Sequence, residues 1–189
     1  MREIVWDIDR LREIALDQHG FVTTSQAAES GVSKATLSKL AARERIERVA
    51  HGVYRVPQVP SSHYDRFMLA VLWTGPPEAL ISHESALDIY DVCDVNPRAI
   101  DVTVPKGKRI SRRGGDGYRI HHEDISEGDR AWREEVPVVT LARAIEQCML
   151  SGTATYLLEQ AVERGLAEGL ITQGNHDRLT EMLRGRYGG

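Results

Sequence analysis

Apolar positions fall at helical spacing near the start of the chain, give way to short strand-like runs, and return to helical spacing towards its end. Ile8, Leu11, Ile14 and Ala15 make the first stripe, with Asp7 or Asp9 as its cap and His19-Gly20 as its stop. Thr23 followed by Gln26 has capping-box spacing, in which hydroxyl and amide each satisfy a backbone N–H that a helix start leaves unpaired. The short helix TSQAAES ends at Gly31, which tolerates a left-handed turn that a β-carbon would penalise. Ser33 caps the next helix. There Leu37, Leu40 and Ala41 share one face, while Ala35, Ser38, Lys39, Ala42 and Arg43 project from the other. Ile46, Val49, Val53, Tyr54 and Val56 are strand formers placed around a His51-Gly52 turn.

These positions predict a helix-turn-helix followed by a two-stranded wing. Small Ala27 lets two helices approach, Gly31 sits in the turn, and Val32, Leu37 and Leu40 fill the interface; that order resembles the helix-turn-helix pattern. A helix that is apolar on one face and small, polar and basic on the other packs on its own domain and still enters a major groove. A helical hairpin in an unrelated core is the alternative.

Pro57, Pro60 and Ser61-Ser62 break the pattern and mark the expected domain boundary, dividing residues 1–58 from 59–189. A helix over about 62–73 carries Tyr64, Phe67, Met68, Val71 and Leu72 as its stripe, and Pro76-Pro77 ends it. ALISHESALDIYDV reads as a strand or turn and then a helix capped at Ser82. AIDVTVP reads as a strand, GKRISRRGGDG as an exposed loop and YRIHHEDI as a returning strand, together a small antiparallel piece of sheet. VPVVTLARAIEQCML places a short strand before a helix starting near Thr140, and two amphipathic helices follow. Gly165 and Gly169 weaken or end the first of them. The expected class is α+β, a winged helix-turn-helix followed by a larger mixed domain.

Charge changes this picture more than composition does. The 189 residues carry a net charge of −4, which argues against indiscriminate coating of nucleic acid. Residues 1–56 are close to neutral, with nine Lys/Arg against eight Asp/Glu. Pro105–Arg119 holds six basic residues and one acid, and the stretch from Ile120 onward has twelve acids against seven bases. The asymmetry suits a localised DNA footprint on an acidic protein. No long apolar run predicts a membrane span or a secretory signal, and Cys93 and Cys148 lack pairing or metal spacing. A cytoplasmic location with free thiols is expected.

The stretch GFVTTSQAAESGVSKATLSKLAARERIERVAHGVYRV, then ISHESALDIYDV and VPVVTLARAIEQ, resembles the AbiEi-type antitoxins of type IV toxin–antitoxin systems. The resemblance covers nearly the whole chain, and its first motif is the most specific. It implies a winged helix-turn-helix followed by an antitoxin-type α+β domain. It also implies a bacterial repressor that binds inverted-repeat operator DNA at its own promoter and opposes a nucleotidyltransferase-like toxin encoded beside it. The runner-up is an ordinary winged-helix regulator whose second domain senses an effector or binds a protein partner.

The residues expected to touch DNA are Ser33, Lys34 and Thr36 at the start of the recognition helix and Ser38, Lys39 and Arg43 along its outward side. Arg48 and Arg55 either flank that helix and reach phosphates or are ordinary strand-surface arginines. Lys106, Lys108, Arg109, Arg112 and Arg113 form a second basic element, either a DNA or partner contact or a solvated loop. Catalysis is not expected. His121-His122-Glu123-Asp124 with His83, Glu84 and Asp101 supplies metal-type ligands, but adjacent strand residues face opposite sides, so His121 and His122 do not share one ion. No acid–x–Lys nuclease element, no P-loop and no nucleophile elbow is present, and no cofactor or metal is expected. Trp73, Tyr90 and Trp132 read as core or interface filler.

Overall fold

The computed structural model describes residues 2–111 and 114–186, with side chains from Trp6 onward. Two compact units divide the chain. The first is Met1–Pro77 with Arg109–Gly115 and Glu134–Val136; the second is Glu78–Lys108, Asp116–Arg133 and Pro137–Gly189. Among the described residues no helix is long and apolar enough to cross a membrane.

In the first unit, α1 (Arg2–Leu16) starts before Asp7 and Asp9, so neither caps it. Asp9 instead accepts from Arg12 at 2.8 Å. Its stripe of Ile8, Leu11 and Ala15 is buried, and the left-handed His19 and Gly20 end it. The chain then enters β1 (Phe21–Thr23), a strand that a three-residue apolar-to-polar run does not announce. Thr23 closes this strand and opens α2 (Thr24–Glu29) through a complete capping box with Gln26. Gly31, at φ 86°, turns the chain into α3 (Lys34–Ala42), where the Ser33 hydroxyl accepts from the Thr36 amide at 3.1 Å. Leu37 and Leu40 lose essentially all solvent exposure against Leu11, Ala27 and Val32, worth about 1.5–3 kcal/mol each.

The wing consists of β2 (Glu47–Ala50) and β3 (Val53–Arg55), as expected, but the sheet has three strands in the order β1-β3-β2. Phe21, Val22 and Thr23 pair antiparallel with Arg55, Tyr54 and Val53. Beyond the 57–62 break, α4 (Asp65–Thr74) belongs to this unit and packs on β1 and β3. From Phe67 to Thr74 only Leu69 keeps partial exposure, so the helix is buried nearly all round rather than along one stripe.

The second unit carries a five-stranded mixed sheet in the order β6-β5-β4-β8-β7. Its strands are β4 (Leu80–Ile81), β5 (Ile100–Val104), β6 (Tyr118–His122), β7 (Arg130–Arg133) and β8 (Val136–Val139). The strands at 100–104 and 118–122 are neighbours, yet they run parallel, Ile100 opposite Tyr118 and Val104 opposite His122. The expected hairpin is thus corrected. Residues 105–117 are long enough to carry the chain back to the same end of the sheet, which a tight hairpin loop is not. The antiparallel partner of β5 is instead β4. Strand β7, after a short 3-10 turn at Glu127–Asp129, carries no sequence signal of its own: its turn into β8 uses Glu134 and Glu135 at positive φ, without the glycine or asparagine that marks such turns.

Four helices complete this unit: α5 (His83–Tyr90), α6 (Leu141–Ser151), α7 (Thr155–Ala167) and α8 (Gln173–Arg186). Thr140 caps α6 as expected, and Gly169 follows α7 in the left-handed conformation. Gly165 does not break α7; it lies against Leu141, whose Cδ2 would sit 2.6 Å from any added β-carbon. Tyr90 is core, its hydroxyl donating to the Val139 carbonyl at 3.1 Å, and Trp73 is buried in the first unit. Trp132 is not core, being 69% exposed. Cys93 and Cys148 are free and buried, and burial pushes the Cys93 thiol up to about 11.

A polar lattice is built into the apolar interior. Asp101 on β5 is fully buried; it meets His121 Nε2 at 2.8 Å, accepts from Arg119 at 3.2 Å, and its amide donates to the Ser85 hydroxyl at 2.8 Å. The His121 ring stacks on His83 with centroids 3.6 Å apart, while His122 is exposed on the other side of β6. Ser82 precedes α5, but its hydroxyl meets His83 Nδ1 at 3.0 Å rather than capping the helix. Glu123 accepts from Arg143 and, at 2.6 Å, from Gln147. Among the described residues no three His, Cys, Asp or Glu are arranged to hold a metal ion.

Burial, and then the neighbouring His121, push His83 down from 6.5 to about 4; Asp101 and Glu123 pull the other way without prevailing, and Arg119 adds to the depression. A folded-state value below the unfolded one means stability is complete above about 6.5 and is lost as pH falls towards 4. Denaturant unfolding of the chain at stepped pH should therefore show a loss over that window. His83→Gln should flatten that part of the profile, and an unchanged profile would contradict the assignment.

Candidate nucleic-acid interface

Helix α3 presents the face the sequence predicts. Lys34, Ala35, Ser38, Lys39, Ala42 and Arg43 are exposed while Leu37 and Leu40 are buried. The hydroxyls of this face have local partners. Ser33 and Thr36 lie 3.0 Å apart across the cap, and Ser38 donates back to the Lys34 carbonyl at 3.0 Å. Each keeps acceptor capacity, but Ser38, and whichever of Ser33 and Thr36 donates across the cap, must rotate out of its bond to donate to a base or phosphate. The ammonium groups of Lys34 and Lys39 and the guanidinium of Arg43 therefore dominate what this face offers a polyanion.

Arg48 and Arg55, adjacent in register on the wing strands, have different environments. Arg48 is exposed on β2, beside a register shift between Arg48 and Ala50 that twists the wing. Arg55 is held inside the unit. Its guanidinium donates to Asp65 at 2.8 Å, to the Ser61 hydroxyl at 2.9 Å and to the Val59 carbonyl, and lies 5.0 Å over the Phe21 ring. Burial alone would raise the Asp65 carboxyl, but the Ser62 amide, the Arg55 guanidinium and the Ser62 hydroxyl together hold it below the usual carboxylate value. Arg55 thus secures the 57–62 segment to the sheet, and the structure does not bring it together with the recognition-helix cations.

It does bring together residues that sequence patterns leave apart. A cleft of about 450 Å³ opens between α3 and the wing. Lys34 and Ser38 line it from α3, Arg48 and His51 from the wing, Thr24 and Ser25 from the start of α2, and the end of α4 closes it. Among the described residues, none of those lining it is Asp or Glu. A second hollow, behind the wing at Arg45 and Ile46, includes Glu44 and Glu47 and is mixed in charge. His51 was legible only as a turn residue and Thr24-Ser25 only as a helix start, since nothing local says that the wing folds back beside α2.

Of the second basic element, Lys106 and Arg109 are exposed, and Lys108 is ion-paired with Glu78 at 3.1 Å. Arg112 and Arg113 lie outside the described residues.

Two helices joined by a tight turn, the second showing a basic face beside a wing in a three-stranded sheet, define a winged helix-turn-helix unit. Residues 9–57 match the protein family described as transcriptional regulator, AbiEi antitoxin, as the sequence resemblance led us to expect. That family is one of regulators rather than of enzymes. No curated protein matches the chain. The crystal structure of RV2827C protein from Mycobacterium tuberculosis is similar over 89% of this chain and 78% of that one, with 13% identity and a TM-score of 0.43.

Replacing Arg55 by Ala should lower the unfolding free energy by about 1–3 kcal/mol, since it leaves a half-buried carboxylate without its cation. The same variant should leave the salt dependence of DNA binding unchanged. A stable Arg55→Ala protein with a flattened salt slope would reverse this assignment.

Proposed function

We propose that the chain is the antitoxin and autorepressor of a type IV toxin–antitoxin pair. Its first unit holds inverted-repeat operator DNA and its second carries the antitoxin activity, within a bacterial cytoplasm. The observation that carries the DNA half is the exposed face of α3, where Lys34, Lys39 and Arg43 stand clear of the buried Leu37 and Leu40. The family match over residues 9–57 supports the same reading. Ser33, Thr36 and Ser38 complete the contact surface, Arg48 adds a backbone contact from the wing, and Lys106 on the second unit and Arg109 on the first each offer a further basic contact to DNA or to a partner.

Because residues 1–56 are close to neutral, affinity comes from a few placed cations rather than from bulk charge. Lys39 and Arg43, on the outward side of α3, are the ones placed for base edges in a major groove. Changing both to Ala should cost about 1–3 kcal/mol for each side chain that bonds a base. The change should also relax discrimination between the DNA upstream of the chain's own reading frame and a scrambled duplex. Anisotropy titrations at fixed salt measure both. Unaltered affinity and discrimination would sink the recognition-helix assignment. The antitoxin half is tested by co-expression with the neighbouring nucleotidyltransferase-like product. Restored growth is expected; failure to rescue, with DNA binding intact, leaves an ordinary regulator whose second unit senses an effector or binds a protein.

A further inference from the structure

We infer that the cleft between α3 and the wing is a seat for a phosphate ester, held by Lys34, Arg48 and His51 with the Ser25 hydroxyl. The inference rests on the DNA-binding reading of the first unit and deepens it, because it names a binding locus distinct from the base-reading face of Lys39 and Arg43.

Charge selection is the first argument. The chain has 28 Asp and Glu against 24 Lys and Arg, yet among the described residues no carboxylate lines this cleft, while two permanent cations and an imidazole do. The neighbouring hollow behind the wing contains two glutamates, so an acid-free lining is not a general property of this unit. Lysine supplies a point charge and arginine a planar fork that matches two phosphate oxygens, while the Ser25 hydroxyl, 3.0 Å from that of Thr23, donates to a third once it turns from that bond. Size is the second argument. At about 450 Å³ the cleft exceeds what a bare phosphate fills and lies within the roughly 300–1,000 Å³ of ordinary small-ligand sites, room for a phosphate with the sugar it is attached to.

Rigidity is the third. The Thr24 amide donates to the Gly52 carbonyl at 2.9 Å, which ties the wing turn to the start of α2. Gly52 takes φ 72°, a conformation that favours glycine, so the turn beside His51 has the residue its backbone requires. The backbone beside His51 and Ser25 is therefore tied between wing and helix, while both side chains stay exposed to a ligand. The same chemistry admits two sources, a backbone phosphate of DNA or a free nucleotide that would compete with it.

The test uses the full chain and an Arg48→Gln/His51→Gln variant, both sites being exposed, with thermal melting to show that the variant folds. In the first arm, DNA affinity is measured across a salt series. Wild-type slope should fall by about one in the variant, near the 0.9 expected for one phosphate contact, with discrimination between duplexes unchanged. In the second arm, inorganic phosphate and AMP are titrated against chloride at matched ionic strength, with amide shifts at Thr24, Ser25 and Gly52 as the readout. Saturable shifts that the variant loses assign a free-nucleotide source, and this result stands even if the wild-type chain binds no DNA, which would defeat the operator reading alone. The seat is overturned if neither arm responds to the variant: slope and affinity unchanged where DNA binds, or no DNA binding at all, and in either case no phosphate-dependent shift at the cleft.

Discussion

Thr23 sits where the two halves of the helix-turn-helix unit become one object. Its backbone pairs with Val53 in the sheet, its hydroxyl accepts from the Gln26 amide, and its own amide donates to the Gln26 side chain at 3.0 Å. One residue therefore ends a strand and starts a helix. Gln26 in turn donates to Gln18 at 2.7 Å, and Gln18 to the Phe21 carbonyl, so the segment leading into the sheet is fixed by the same set of bonds. With α2 anchored to β3 and the Gly31 turn setting α3 against α2, α3 stands in a defined relation to the wing. The cleft exists because of that relation.

The two units use polar groups for opposite ends. In the first, apolar packing holds the helices and, the Arg55–Asp65 pair aside, the cations of α3 and the wing face solvent. In the second, charge is taken inside. Asp101 is stripped of solvent, and it persists as part of the interior because His121, Arg119 and Ser85 together occupy its oxygens and amide. Such a lattice is fully bonded or costly, since a buried carboxylate that loses a partner has no water to replace it. It ties α5 to β5 and β6.

Local chemistry made much of this legible. The Thr23–Gln26 box, the Ser33 and Thr140 caps, the Gly31 turn and the apolar faces of α1 and α3 are short-range patterns in which the deciding atoms lie within a few residues of one another. The elements that escaped notice are those whose identity depends on a distant partner. Phe21–Thr23 is too short to show a period and is a strand only because β3 lies beside it. Strand β7 is introduced by an acidic turn of a kind that sequence patterns assign elsewhere. The direction of β6 is set by where residues 105–117 travel, a question that alternation in YRIHH does not address.

The same division separates the two wing arginines. By type and spacing Arg48 and Arg55 are equivalent, and the sequence determined only that both lie on a wing beside a helix with a basic face. Tertiary structure decided that Arg55 is spent on Asp65, Ser61 and Phe21, while Arg48 faces the cleft with Lys34 and His51. The reason is geometric. A helix face follows from the 3.6-residue period of one segment, whereas a binding cleft is the intersection of several segments and becomes defined when they pack.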